Sequence, residues 1–190
     1  MTAHPGRLSA PTLLAVGRAI VNARDGLVEA WLAWITERQG RAPVEEPELR
    51  RILSLIVRLL THMTGPLRRE ARDTWHSANE LFGRLAETRG LSAGEVVDEL
   101  QHLRELLIIE LGDLIVALPV RQQLPAVLRV NRVCDTGITS AVVGYTDTLV
   151  AKLLDLEGSA VPTSESKTQL MTQLAELEAA VARLDARTTR

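Results

Sequence analysis

Four histidines, one cysteine and a scatter of acids are what this chain offers toward chemistry, so their spacing is the first test. A zinc centre on a helix needs ligands three or four positions apart, because only those project from one face. Neither C-x-x-C nor H-E-x-x-H occurs, and no zinc or di-iron site is expected. A nucleotide-binding G-x-x-x-x-G-K-[ST] loop is also absent. A histidine kinase needs a phosphoacceptor His followed by an ATP domain, yet the last histidine is His102 and nothing after Leu156 resembles such a domain. The reading is therefore of a protein that is not an enzyme, with no catalytic residue, no cofactor and no metal.

Haem would require an imidazole on the pocket side of a helix. At 100° per residue, His102 falls opposite the Val96–Leu100–Leu103 face and His62 opposite the Ile52–Ile56–Leu60 face. His76 flanks Trp75 and is the one placed to lean inward. Surface histidines are the expectation. A small apolar ligand could still use a pocket lined by Trp75, Phe82 and Tyr145, though ordinary packing explains those residues equally well. Cys134 sits on a hydrophobic stripe and reads as a small buried hydrophobe. Glu110, amid "LLIIELGDL", would need a partner if buried and is expected at an interface rim.

What positions these residues is a set of helices. The chain has 190 residues, enough for one domain and an appendage, with 46% hydrophobic but only 3% aromatic residues. Such a core is built from aliphatic ridges, which favours all-α packing over a sheet. A formal charge of −2 argues against a broad nucleic-acid surface. The N-terminus shows no signal-peptide pattern, and no apolar run approaches the ~20 residues that span a bilayer. A cytoplasmic protein without membrane contact is expected.

The expected organisation is a loose leader over residues 1–11, a helical domain over 12–157, a linker over 158–166 and a heptad helix over 167–190. One helix runs from Thr12 to about Arg38, with a break near Gly26 conceivable from its low helix propensity. "PELRRILSLIVRLLTHMTGP" puts Leu49, Ile52, Leu53, Ile56, Leu60 and Met63 on one face, with Arg50, Arg51, Arg58 and His62 on the other. A third helix aligns Ala71, Trp75, Ala78, Phe82, Leu85 and Ala86. "ETRGLSAGEVVDELQHLRELL" then spells a junction: Gly90 as a left-handed stop, Leu91 as a staple, and Ser92 with Glu95 as a capping box. The next helix is expected from Ala93 to Leu118, and a long one from Ala126 to Leu156. The long one carries a main stripe of Val127, Val130, Cys134, Ile138, Ala141, Tyr145 and Leu149, and a second of Val143, Val150 and Leu154. Apolar surface in excess of one domain's needs predicts a homodimer.

Leu170, Leu174, Leu177, Val181 and Leu184 step by 4, 3, 4 and 3, a heptad seam expected to dimerise. Its flanking positions, Met171, Gln173, Glu178, Ala180, Asp185 and Arg187, form no strong complementary set between two copies.

Four stretches, "VEAWLAWI", "ELRRILSLIVRLLTHM", "LFGRLAETRGLSAGEVVDELQHLRELL" and "VLRVNRVCDTGITSAVVGYTDTLV", resemble in order the N-terminal domain of RsbR-type stressosome proteins, also found in some bacterial sensor histidine kinases. The resemblance implies a globin-like, haem-free, dimeric sensory domain that relays a bacterial stress signal through a C-terminal helix. It also implies a signalling partner, such as a STAS protein, a kinase or a response regulator. In RsbR proteins the output is a STAS domain; here only the heptad segment follows, so no phosphosite transfers. The alternatives are the sensor portion of a histidine kinase without its catalytic domains, or a globin that binds haem or another ligand.

Overall fold

The structure, a computed structural model, describes residues 8–38, 46–156 and 163–188, and every regular element among them is an α-helix. In chain order these are α1 (Ala10–Arg38), α2 (Glu46–Thr64), α3 (Arg68–Thr88), α4 (Ala93–Glu110), α5 (Gly112–Ala117), α6 (Val120–Leu156) and α7 (Thr163–Thr188). Most of the expected leader, residue 157 and the 158–162 part of the expected linker lie outside the described residues. No described helix is long and apolar enough to cross a membrane.

α2 sits at the centre, and its sequence shows why. Beyond the expected face, Leu55, Val57 and Leu59 are also buried, so the helix is covered nearly all round. α1 lies along it on one side, α3 on another, and α7 on a third. α6 runs along α3 and also contacts α4. Trp31, Trp75 and Phe82 are the largest side chains sealed in this core.

Two boundaries differ from expectation, while α1 spans the expected range. α1 passes straight through Gly26, since its packing against α2 outweighs the roughly 1 kcal/mol helix penalty of a glycine. The helix expected to reach Leu118 instead stops at Glu110; Leu111 is fully buried with φ −85° and ψ −2°, and α5 restarts at Gly112. α6 begins at Val120, six residues early, with Pro125 inside its second turn. Lying past the first turn, Pro125 forgoes one helical hydrogen bond, that to the Arg121 carbonyl. Gln123 also closes the preceding turn by donating from Nε2 to the carbonyls of Val116 and Leu118, each at 3.1 Å.

The junction between α3 and α4 forms as the sequence spells it. Gly90 has φ +75°, its N–H donates to Glu87 O at 2.9 Å, and Leu91 N–H donates to Ala86 O at 3.1 Å, which together make a Schellman stop. Ser92 Oγ then accepts from Glu95 N–H at 3.3 Å while Glu95 Oε2 accepts from Ser92 N–H at 2.7 Å.

Candidate functional site

The junction carries a buried ion pair that its local pattern does not announce. Arg89, the C-cap residue of α3, turns its guanidinium onto Glu99 of α4 with contacts of 2.9 and 2.5 Å, the side chains being 1% and 6% exposed. Glu99 also offers its backbone carbonyl to the Trp31 indole N–H at 2.8 Å. One residue thus ties together α1, α3 and α4. Sequence reasoning passed over Glu99, which reads as a surface acid beside the Val96–Leu100 stripe. It also passed over the E-x-x-H spacing of Glu99 and His102, whose side chains have separate partners: Glu99 holds Arg89, and His102 stacks on Trp34 with ring centroids 4.3 Å apart. No group of three or more metal-ligating side chains exists among the described residues.

α7 corrects the expectation for the heptad seam. Leu174, Val181 and Leu184 are buried against the chain's own α2 and α3, and Leu170 and Leu177 pack half-buried on the same cluster. In this packing the seam faces the chain's own core. The charges explain the choice. Glu178 and Asp185, which find no complement in another α7, find it on the arginine face of α2. Arg51 grips Glu178 in a two-pronged contact of 2.9 and 2.7 Å, and this hydrogen bonding raises the Arg51 pKa. Arg58 pairs with Asp185, and His62 Nε2 approaches Asp185 Oδ1 at 2.7 Å. Burial pushes the Asp185 carboxyl up, but the hydrogen bonds from Arg58 and His62 outweigh it and hold its pKa below the usual value.

His62 is therefore not the surface histidine expected. It is 4% exposed because the face opposite the Ile52–Ile56–Leu60 stripe is the one that α7 covers. His76 does lean inward, meeting Ser140 Oγ of α6 at 2.7 Å. Cys134 is buried as expected, and burial pushes its thiol up to about 12. Glu110 is exposed beside the equally exposed Ile109.

Trp75 and Phe82 are sealed in the core among the described residues. Trp75 is 1% and Phe82 0% exposed; Trp75 donates to Thr136 Oγ1 at 3.2 Å, and Phe82 packs on Trp31 with centroids 5.6 Å apart. The space a ligand would need is taken by backbone. At the α3–α6 crossing, a Cβ on Gly83 would stand 1.9 Å from Ala141 O and one on Gly144 would stand 2.2 Å from Glu80 O. Gly137 likewise lets α6 close on the Trp75 ring, where a Cβ would lie 2.7 Å from Cζ2. Tyr145 is half-buried at the edge of this crossing. The glycines at 137 and 144, seven apart with Ala141 between, were the available signal for a close helix approach, and it went unread.

The second stripe of α6 stays uncovered. Val143, Val150 and Leu154 are 46%, 47% and 63% exposed, and Leu149 and Leu153 widen the strip. A second exposed set, Ile109, Val116, Val120 and Leu124, surrounds the α5 turn at the other end. Between them the outer face of α6 is polar, with Asp135 and Thr139 exposed. Two surface clefts of about 850 and 410 Å³ open near the start of α3. Comparison with known proteins gives no match to a family model, a curated protein or a solved structure.

Proposed function

We propose that this chain is a non-enzymatic, dimeric signal-transduction module of the RsbR-like sensory kind, with globin-like packing. It would relay a signal through its C-terminal helix to an output domain or partner protein. The observation that carries the reading is the bare apolar strip on the last four turns of α6, while α7 docks on α2 and α3 through a buried aliphatic seam flanked by ion pairs. A strip of five large aliphatic residues on one helix is a surface that association would bury. In this reading the dimer seam would lie on Val143, Val150 and Leu154 instead of on α7. Release of α7 from α2 would then be the moving part, because a signal needs only two packings of different stability.

Sedimentation of the full chain and of a Val150→Glu/Leu154→Glu variant tests this. A dimer at tens of micromolar that becomes a helical monomer in the variant supports the reading. A wild-type monomer at every concentration overturns it. A haem-binding globin is the less favoured reading, because each described histidine already has a neighbour: Asp185 for His62, Ser140 for His76 and Trp34 for His102. A Soret band in the purified protein would reverse that preference.

A further inference from the structure

The larger cleft, about 850 Å³, lies between the first turn of α3 and the N-terminal half of α6. Arg68 and Arg69 line it from α3, and Arg129 and Arg132 from α6, against a single carboxylate, Glu70. Glu70 is itself engaged by Arg187 of α7 at 3.7 Å. None of the four arginines pairs with a carboxylate among the described residues. In a chain of net charge −2, four guanidiniums gathered round one cavity need a reason. We infer that this cleft is a binding site for a small multivalent phosphate compound, with the four arginines as its clamp and an apolar wall at Leu13 and Leu128 for the rest of the ligand.

Three further observations fit. Arg129 is half-buried, and its Nε is shut off from solvent without a hydrogen-bond partner. Burial, joined by the like charges of Arg68 and Arg132, lowers the Arg129 pKa below its usual value. A dianion in the cleft would relieve the repulsion, since planar guanidiniums bind phosphate oxygens in pairs. Leu67, at the N-cap of the 21-residue α3, has no side chain to accept from the first turn, which leaves backbone donors facing the same end. The volume falls within the roughly 300–1,000 Å³ typical of small-molecule sites.

The site does not depend on dimerisation, and its test reads binding alone. Titration calorimetry of the full chain with inorganic pyrophosphate, and separately with GTP in magnesium-free buffer, is expected to give saturable one-to-one binding that weakens with salt. Arg129→Met and Arg132→Met should each weaken it about tenfold or more. The empty double variant should melt no lower than wild type at low salt, because a repulsion has been removed; a merely structural arginine would lower the melt instead. Binding of pyrophosphate places recognition on the phosphates, and binding of GTP alone adds the apolar wall; both support the proposal. Three results would overturn it: no binding of either probe, binding unchanged in the double variant, or capture only of long polyanions such as an RNA oligomer.

Discussion

Arg89 and Glu99 face each other in a two-pronged contact of 2.9 and 2.5 Å, sealed at the turn where α3 passes into α4. The pair is ten residues apart in sequence and almost wholly removed from water. Desolvating two charges offsets much of their attraction, so the pair fixes how the helices meet more than it adds stability. Removing one partner is different, because it leaves an uncompensated charge. Arg89→Met is expected to destabilise the fold by about 3–5 kcal/mol, while Arg89→Met/Glu99→Leu recovers most of that loss. Urea denaturation midpoints of the three proteins check it, and a double variant no better than the single one would refute the argument.

The same substitution should act with opposite sign at two glycines. A Cβ on Gly144 meets the Glu80 carbonyl at 2.2 Å, so Gly144→Ala must push α3 and α6 apart, at about 1–3 kcal/mol or more. A Cβ on Gly26 meets nothing within 4 Å, so Gly26→Ala should stabilise α1 by about 0.5–1 kcal/mol. At roughly 2–4 °C per kcal/mol for a chain of this size, thermal melts separate the two cases.

Docking of α7 should weaken in acid. The folded Asp185 pKa lies below its unfolded value, so its contribution is present above the unfolded pKa of about 4 and is lost as pH falls through the lowered folded value. Asp185→Asn removes the charge at every pH. Hydrogen exchange of α7 amides is expected to show reduced protection in Asp185→Asn relative to wild type at pH 7. The two proteins should converge only once the pH has fallen below the lowered folded pKa, with intrinsic exchange rates divided out.

Cys134 should be inert in the folded protein. With its thiol buried and raised to about 12, almost no thiolate exists at pH 8, and reagent cannot reach it. Labelling with a disulfide reagent should proceed only on unfolding, with full reaction in denaturant. Rapid labelling of the native state would mean that α6 opens locally at this point.

Local pattern carried much of this architecture. The apolar residues of α2, α3 and the first half of α4 recur every three or four positions, and those elements form close to where expected. The Gly90–Ser92–Glu95 junction was legible because caps are satisfied by neighbours in sequence. The α5 break and the early start of α6 were not, because burial of Leu111 and the side-chain closure by Gln123 depend on what packs around them.

What the sequence by itself determined is an all-α protein, the stripes that become its core, and an apolar surplus on α6. Tertiary structure alone decided where α7 goes, that Arg89 and Glu99 turn inward, and how closely α6 approaches Trp75. The reason is physical. A heptad stripe records that a helix has an oily face but not whose, and the contacts of Asp185 with Arg58 and His62 join residues more than 120 positions apart. Such a partnership leaves no periodic trace, and an arginine destined for burial looks, in a row of letters, like any other on the surface.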